Sequence, residues 1–214
     1  MSHDHPMTVD AMLKQDFWEA LYQRDEHRIW SGNVNVNLRT EVEGLKPGHA
    51  LDLGSGEGGD AIWLAKQGWT VDGVDISTTA LARAAEAGAE AGVTVNWLHR
   101  NILEWRPEAQ YDLVSAQYMH LPPELFGDFF ARIAAAVRPG GTLLVVGHHP
   151  DDLHANVGRT GAPDRFVLAE QLAAGLDPAA WEVVVARAFD REARDLDGQP
   201  VNVRDTVLRA VRRA

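Results

Sequence analysis

The sequence predicts an α/β three-layer sandwich whose seven-stranded, mainly parallel sheet ends in an antiparallel hairpin. Between residues 49 and 149, short apolar runs alternate with amphipathic segments of helix length. This alternation implies crossover connections between parallel strands. Residues 181–214 then hold two alternating strand patterns separated by the turn-rich LDGQP, which predict the terminal hairpin.

The length and the charge of the chain limit its function classes. At 214 residues the chain is predicted to form one domain. Its 31 acidic and 20 basic residues give a net charge of −11, which disfavours a polyanionic partner. The notable basic cluster lacks interleaved aromatic residues and is interpreted as a solvated strand face, formed by Arg204, Arg209, Arg212 and Arg213. We therefore expect no nucleic-acid partner.

The absence of cysteine excludes disulfides and thiolate chemistry and is typical of the cytoplasm, where we expect the protein. No apolar run approaches membrane-spanning length, so we expect no membrane partner. The opening MSHDHPMTVD lacks the apolar core of a signal peptide. Its two histidines are interpreted as part of a flexible leader, and the oligomeric state stays open.

Before the sheet, the pattern is helical. A helical spacing of apolar residues predicts a leading amphipathic helix within residues 8–27, with Met12, Leu13, Phe17, Ala20 and Leu21 on its apolar face. The polar passage WSGNVNVNL follows and contains Trp30. LRTEVEGL then predicts a second, short helix that ends at Gly44.

The sheet begins with the strand HALDLG, and the helix GGDAIWLAKQG follows it and ends at Gly68. WTVDGVD is the second strand, and STTALARAAEAGAEAG is a helix with Ser77 as its N-cap. VTVNWLH, YDLVSAQ and TLLVVGHH are the third to fifth strands. The helix PPELFGDFFARIAAAVRPGG precedes the fifth strand, with an apolar stripe formed by Leu125, Phe129, Ile133 and Val137.

A glycine-rich loop follows the first strand and predicts a ligand site. Gly54, Gly56 and Gly59 satisfy the G-x-G-x-x-G pattern of dinucleotide sites, and ligands of parallel sheets bind beyond the carboxyl ends of the strands. Asp52 and Glu57 flank this loop, however, and their charges would repel a pyrophosphate. A ligand that carries positive charge fits the loop better.

An acid stands at the end of the second strand, where dinucleotide enzymes bind ribose hydroxyls. Asp75 lies 19 residues after Gly56, which matches that position. Asp75 could also cap the next helix. A nucleoside joined to a cationic, phosphate-free group points to S-adenosylmethionine as the cofactor.

These residues carry a resemblance to a known family. ALDLGSGEGGDAIWLA together with VDGVDIS resembles the first two motifs of class I S-adenosylmethionine-dependent methyltransferases. The resemblance implies a Rossmann-like fold over residues 45–214. It also implies contacts to the methionine portion, the ribose and the adenine, made by Asp52, Gly54, Ser55, Gly56, Asp75, Ile76, Asn101, Ile102 and Gln117. The family places an acid or amide after the third strand, where it accepts a hydrogen bond from the adenine amino group. This chain has Asn101 there, and its amide oxygen can accept that hydrogen bond.

The N-terminal segment FWEALYQRDEHRIWSGNVNVNL resembles the small-molecule branch that includes the tellurite-resistance and thiopurine methyltransferases. Residues 1–44 are accordingly expected to form an N-terminal helical lid within the same domain. By this resemblance Trp30 covers the cofactor, Asn33 hydrogen-bonds near it and Tyr22 borders the methyl acceptor. The alternative for Trp30 is a permanent core position.

Histidines follow the fourth and fifth strands. His120 lies just beyond the fourth strand, where an imidazole could take a proton from the acceptor; its alternative is to pack or orient a loop. His149 is a second candidate for contact with the acceptor. His148, His149 and His154 with the neighbouring Asp151 and Asp152 match no metal motif, so we expect no metal.

The predicted function is transfer of a methyl group from S-adenosylmethionine to an oxygen, nitrogen or sulfur atom of a small-molecule acceptor. An NAD(P)-dependent oxidoreductase is one alternative, because the G-x-G-x-x-G pattern is present. A non-catalytic protein that binds S-adenosylmethionine is the other. The identity of the acceptor stays open.

Overall fold

The computed structural model describes residues 11–154, 157 and 165–214. Its centre is a seven-stranded sheet in the order β3-β2-β1-β4-β5-β7-β6. The strands are β1 (His49–Leu53), β2 (Thr70–Asp75), β3 (Asn96–His99), β4 (Tyr111–Gln117), β5 (Val137–His148), β6 (Trp181–Arg194) and β7 (Pro200–Arg212). β7 runs antiparallel to both β5 and β6, and the other strand pairs of the described residues are parallel. The predicted fold class is confirmed, with β7 of the terminal hairpin placed between β5 and β6.

Helices flank the sheet: α1 (Gln15–Gln23), α2 (Val36–Val42), α3 (Gly59–Lys66), α4 (Thr78–Glu90), α5 (Pro123–Ala135) and α6 (Ala169–Ala174). The leading helix is shorter than predicted, and a 3-10 turn, Ala11–Leu13, precedes it. The start of its predicted range and the two leader histidines lie outside the described residues. Ser77 caps α4 as predicted, since its hydroxyl accepts the Ala80 N–H over 3.1 Å.

Alternation along the strands divides the core between the two faces of the sheet. In β1, Ala50 packs in a cluster with Leu38 of α2 and Leu64 of α3. The next residue, Leu51, belongs to the other cluster, with Phe129 of α5. Each of these side chains is at most 1% exposed. Because both faces of the sheet are buried, the polar ends of the strands lie at the edge of the core together with the loops that follow them.

Three details differ from the sequence-based expectations. Val137 belongs to β5 and not to the helix, because α5 ends at Ala135 and a bulge between the pairs Tyr111–Val137 and Leu113–Thr142 keeps the proline-glycine segment in the strand. The helix α6 has no counterpart in the prediction. The basic cluster is not simply solvated, because Arg209 binds Glu41 over 3.3 Å and Arg212 donates to the Val137 carbonyl.

Within the described part of the chain, none of the helices is both long enough and apolar enough to cross a membrane.

Candidate functional site

The glycine loop leaves the end of β1 in a conformation that depends on two glycines. Gly54 and Gly56 have φ values of +67° and +52°, a region that other residues rarely adopt. A Cβ atom on Gly54 would lie 2.6 Å from the Met119 sulfur, and one on Gly56 would lie 3.0 Å from the Tyr22 hydroxyl oxygen. The Ser55 N–H donates to the Val74 carbonyl over 2.9 Å. The loop is therefore fixed to β2 and has no room for side chains at these two positions.

Asp75 lies at the end of β2 and contacts this loop directly. Its Oδ2 accepts the Gly56 N–H and its Oδ1 accepts the Ser77 N–H, each over 2.8 Å. Burial raises the pKa of the Asp75 carboxyl, against the lowering effect of these hydrogen bonds. The next residue, Ile76, is half-buried, and its carbonyl oxygen lies 2.9 Å from His99 Nε2. The predicted ribose acid thus lies beside the glycine loop.

Buried polar atoms at the ends of β1 and β4 lack hydrogen-bond partners among the described residues. They are Asp52 Oδ2, Ser55 Oγ and Gln117 Oε1. Asp52 is 2% exposed, and burial raises the pKa of its carboxyl well above the ordinary value, assisted by the charges of Asp60 and Asp75. Such orphaned acceptors are costly unless a ligand satisfies them. A ligand with an ammonium or sulfonium group fits these three acceptor oxygens.

Glu57 has a different role from the one expected of it. Its charge was expected to oppose a bound pyrophosphate, but the carboxylate is 2% exposed and pairs with Arg83 Nη1 over 2.9 Å. It also accepts the backbone N–H groups of Ile29 and Trp30, both over 3.1 Å. Glu57 therefore binds the N-terminal segment to the glycine loop, and Arg83 compensates its charge.

Trp30 and Tyr22 meet above the glycine loop. The Trp30 indole N–H donates to the Tyr22 hydroxyl over 3.1 Å. Tyr22 is 3% exposed, whereas Trp30 is 56% exposed, so Trp30 is not a core residue. Burial raises the pKa of the Tyr22 phenol far above its usual range. The side chain of Asn33 is exposed, but its carbonyl oxygen would lie 3.0 Å from a Cβ atom on Gly59.

Helix α1 is held against the first turn of α4 by one carboxylate. Glu19 accepts the Thr78 N–H over 2.6 Å, the Thr79 N–H over 3.2 Å and the Ser77 hydroxyl over 3.0 Å. Burial works to raise the pKa of Glu19, but hydrogen bonds from Thr78 and Thr79 outweigh it and lower the pKa to about 2. The N-terminal segment is thus tied both to α4 and to the glycine loop.

Asn101 and Ile102 lie in the turn after β3. The Asn101 side-chain oxygen accepts the Leu103 N–H over 3.0 Å, and its nitrogen donates to Glu104 over 3.1 Å. The amide expected to contact adenine therefore already stabilises its own turn. Ile102 is half-buried against the core. Gln117, at the end of β4, uses its side-chain nitrogen to donate to the Ser115 hydroxyl over 2.8 Å.

A cluster of four rings lies at the ends of β4 and β5, and we call it the ring cluster: Tyr118, His120, His148 and Phe166. Ring centroids are 4.9 Å apart for His120 and His148, 4.3 Å for Tyr118 and His148, and 4.7 Å for His120 and Phe166. Tyr118 has a φ of +55°, a strained conformation for this residue type. Sequence analysis identified His120 but not its ring partners.

Asp205 of β7 is fully buried and contacts two members of the ring cluster. Its Oδ2 accepts from Arg191 Nε over 2.7 Å, from Asn37 Nδ2 over 3.0 Å and from the Tyr118 hydroxyl over 3.2 Å. Its Oδ1 lies 3.7 Å from His148 Nδ1. Burial works to raise the pKa of Asp205, but His148 and Arg191 outweigh it and hold the pKa below its ordinary value. Asp205 was missed, although an acid at an inward position of an alternating strand is a usable signal.

His149 points to a different environment from His148. Its backbone N–H donates to the Arg204 carbonyl over 3.0 Å, and its Nδ1 lies 3.4 Å from Asp151. The described residues hold no group of three or more His, Cys, Asp or Glu side chains arranged to bind a metal ion.

Comparison with known proteins matches this architecture. The family described as "Methyltransferase domain" matches residues 50–141. The ubiquinone biosynthesis O-methyltransferase of Burkholderia lata is 31% identical over 133 residues, which are 55% of this chain and 56% of that protein. The chain therefore spans about half the length of this curated relative.

Two solved structures share the fold over nearly the whole chain. One comes from work on the conversion of a disulfide bond into a thioacetal group during echinomycin biosynthesis; it has a TM-score of 0.73 at 19% identity and covers 93% of this chain and 91% of that one. The other is the magnesium protoporphyrin IX methyltransferase ChlM from Synechocystis PCC 6803 with bound SAH, with a TM-score of 0.63 at 18% identity and coverage of 96% and 97%.

These matches are to methyltransferases and therefore disfavour the NAD(P)-dependent oxidoreductase alternative. The sequence-based recognition is confirmed: residues 50–141 match the methyltransferase domain family, and the chain is similar to methyltransferases in sequence and in fold, in agreement with S-adenosylmethionine as the cofactor.

Proposed function

We propose that this protein transfers the methyl group of S-adenosylmethionine to an oxygen, nitrogen or sulfur atom of a small molecule. One observation carries the proposal: Met119 lies between the glycine loop, which is the proposed cofactor side, and the ring cluster, which is the proposed acceptor side. Its sulfur packs against Gly54 of the glycine loop, while its chain neighbours Tyr118 and His120 belong to the ring cluster. A cofactor on the loop would therefore lie beside an acceptor on the rings.

The cofactor half of the proposal uses the polar atoms that lack partners. Asp52, Ser55 and Gln117 would surround the methionine portion, because their buried acceptors favour its cationic groups. Asp75 retains lone pairs for the ribose hydroxyls beside its two backbone hydrogen bonds. Ile76, Asn101 and Ile102 would border the adenine, with Asn101 acting through the shape of its turn more than through its occupied amide oxygen.

The acceptor half uses the ring cluster and the N-terminal segment. When bound, S-adenosylmethionine supplies an electrophilic methyl group. The chain's own contribution is to position the acceptor, to exclude water and to remove a proton when the acceptor arrives protonated. His120 is the proposed base, and Tyr22 would border the acceptor from the opposite side. His149 faces Asp151, so we assign it at most an outer position.

The contacts of the N-terminal segment support the proposal that this segment forms a lid over the site. We propose residues 1–44 as the lid and residues 45–214 as the catalytic part of the same domain. Support comes from Glu57, which binds the backbone of Ile29 and Trp30 to the glycine loop, and from Trp30, which is exposed above it. Asn33 would act through its backbone, which lies next to Gly59.

A small-molecule acceptor is supported by charge and by the relatives. The net charge of −11 opposes binding to a nucleic acid. The names of the relatives refer to ubiquinone biosynthesis and to magnesium protoporphyrin IX. The absence of cysteine in the sequence agrees with the cytoplasm as the proposed location.

The deciding experiment combines binding with turnover. Calorimetry should show binding of S-adenosylhomocysteine, and labelled S-adenosylmethionine should transfer its methyl group to at least one of four acceptor classes: phenols, thiols, amines or chalcogen oxyanions. Asp52→Asn should lose binding, whereas the exposed control Glu108→Gln should not. Binding without transfer to any class would favour a non-catalytic binding protein, and absence of binding would refute the proposal.

A further inference from the structure

A buried arginine directly precedes Phe166 of the ring cluster, and its terminal nitrogens have no hydrogen-bond partner among the described residues. Arg165 is 3% exposed. Its Nη1 and Nη2 atoms are buried and donate no hydrogen bond to any acceptor within the described parts of the chain. A guanidinium group keeps its proton in proteins, so Arg165 carries a full positive charge in a desolvated position.

Other partly buried arginines of this protein have partners. Arg132 donates through Nη1 to the Leu103 carbonyl over 2.6 Å, Arg191 binds Asp205 over 2.7 Å, and Arg83 binds Glu57 over 2.9 Å. These cases follow the general rule that a buried charge is paired or hydrogen-bonded. Among the described residues Arg165 departs from the rule, and its terminal nitrogens are left to bind an anion.

The position of Arg165 connects it to the acceptor side of the site. The next residue, Phe166, is 6% exposed and packs with its ring centroid 4.7 Å from that of His120 and 6.1 Å from that of His148. The carboxylate of Asp205, which contacts Tyr118 and His148 of the ring cluster, is already engaged by Arg191. The positive charge of Arg191 is therefore compensated, whereas no carboxylate in the described parts of the chain forms an ion pair with Arg165.

We propose that Arg165 binds an oxyanion carried by the methyl acceptor, so that the substrate class is a small carboxylate, phosphonate or phosphate or a chalcogen oxyanion. This inference rests on the proposed function, since it places the anion beside His120. The planar fork of a guanidinium group can donate two parallel hydrogen bonds to such an anion. The acceptor would thereby be held by its charged end while its nucleophilic atom faces the cofactor half of the site.

The proposal makes a stability prediction that a structural arginine would not make. Replacing a buried, uncompensated charge by an apolar side chain of similar length removes a desolvation cost. Arg165→Met should therefore raise the melting temperature of the ligand-free protein, by about 2–4 °C for a chain of this size. An arginine that held the fold together through its terminal nitrogens would give a decrease.

The binding test uses simple probes in the presence of S-adenosylhomocysteine. Phosphate, methylphosphonate, benzoate and selenite are titrated separately by calorimetry, so that the arms distinguish tetrahedral, planar and chalcogen anions. At least one should bind the unmodified protein, and its affinity should fall at least tenfold in Arg165→Met. Arg165→Lys should retain part of the binding through its charge. Arg212→Met, which removes a contact to the Val137 carbonyl far along β7, should leave anion binding unchanged.

The outcomes separate this proposal from the proposed function. If S-adenosylhomocysteine binds but none of the four anions does, or if Arg165→Met binds them as tightly as the unmodified protein, the anion site is refuted and methyl transfer stands. A lower melting temperature for Arg165→Met would also refute it, by showing a structural role. If S-adenosylhomocysteine itself fails to bind, the proposed function fails and this inference fails with it.

Discussion

The backbone N–H of Gly56 donates a hydrogen bond to the carboxylate of Asp75 over 2.8 Å. The glycine loop after β1 and the acid after β2 are therefore one connected unit. Asp75 also accepts the Ser77 N–H at the start of α4. The residue proposed to bind ribose thus fixes the backbone that surrounds the ligand.

Asp75→Ala should have two separate effects. Cofactor affinity should fall by roughly 1.5–3 kcal/mol, because a charged acceptor of hydrogen bonds is removed. Stability should fall by about 1–3 kcal/mol, because the N–H groups of Gly56 and Ser77 lose their acceptor in a buried place. Calorimetry and urea unfolding measure the two effects. Asp75→Asn keeps one acceptor oxygen and should lose less of each, whereas unchanged affinity in Asp75→Ala would move the ribose contact to another residue.

The stability of the protein should depend on pH through Asp60. Burial raises the pKa of this carboxyl from 3.8 to about 6. Because the folded-state pKa lies above the unfolded one, the folded protein binds more protons between about pH 4 and pH 6, and the free energy of unfolding falls as pH rises through this window. Asp60→Asn removes the ionisation but keeps an oxygen for the Asn35 N–H, which donates over 2.6 Å.

Asp60→Asn should therefore melt at a higher temperature than the unmodified protein at pH 7.5, and the difference should vanish near pH 4. Thermal unfolding followed by circular dichroism at both values measures this. Asp195→Asn, a change in the loop between β6 and β7, is a control that should show no such pattern. A variant that is less stable at pH 7.5 would show that the charge of Asp60 stabilises the fold.

Asp205→Asn should be strongly destabilising. Its carboxylate is fully buried and binds Arg191, so removing its charge leaves a half-buried guanidinium without a counter-ion. The expected loss at pH 7 is about 3–5 kcal/mol, measured by urea unfolding. Since its folded pKa lies below the ordinary value, this contribution is present above about pH 4 and is lost as pH falls through the folded pKa.

The difference between Asp205→Asn and the unmodified protein should accordingly shrink at pH 3. Asp190→Asn is the matched control, because Asp190 pairs with Arg204 over 3.3 Å on the surface with a side chain that is 78% exposed. It should cost less than 1 kcal/mol. Equal losses in the two variants would show that burial of the Asp205 pair is not the reason for its importance.

The sequence predicted the sheet and the cofactor half of the site because both follow from local patterns. Gly54, Gly56 and Asp75 stand at the ends of adjacent parallel strands, so their spacing alone brings them together. The confirmed fold class likewise rests on alternation that can be counted along the chain. The roles of these residues toward the cofactor stay predictions.

The acceptor half could not be predicted in the same way, because it depends on pairings between distant strands. Asp205 meets His148 only because β7 pairs antiparallel with β5, with Asp205 opposite His148. Asn37 reaches the same carboxylate from α2, 168 positions away in the chain. The role of Glu57 was not predicted for a related reason: its charge was expected to act on the ligand, and nothing near it in sequence indicates that Arg83 and the backbone of Trp30 would bind it.

His120→Gln should lower methyl transfer to protonated acceptors by a factor of about 10² to 10⁴, the usual contribution of a positioned base. Transfer to acceptors that are already ionised should change little, and the affinity for S-adenosylhomocysteine should stay the same. Rate measurements across pH with a phenol and with a more acidic analogue separate these cases. His27→Gln, an exposed change in the N-terminal segment, is the control. An equal loss with both acceptors would assign His120 to positioning and not to proton removal.

Trp30 decides whether the N-terminal segment acts as a lid. The ring is 56% exposed, although its backbone N–H is held by Glu57 and its indole N–H by Tyr22. A buried tryptophan would cost about 3–5 kcal/mol of stability when truncated to alanine. An exposed one should cost far less, and its hydrogen bond to Tyr22 beside the glycine loop fits a segment that closes over the cofactor.

Trp30→Ala should therefore leave the melting temperature of the ligand-free protein nearly unchanged and weaken the binding of S-adenosylmethionine. Hydrogen exchange across residues 28–38 should slow when the cofactor is added to the unmodified protein, because closure orders this segment, and slow less in the variant. Trp69→Ala is the matched control: Trp69 is 5% exposed in the core, and its truncation should destabilise the protein strongly. A comparable loss of stability in Trp30→Ala, with no ligand-dependent protection of residues 28–38, would show that Trp30 supports the fold and that the segment does not close.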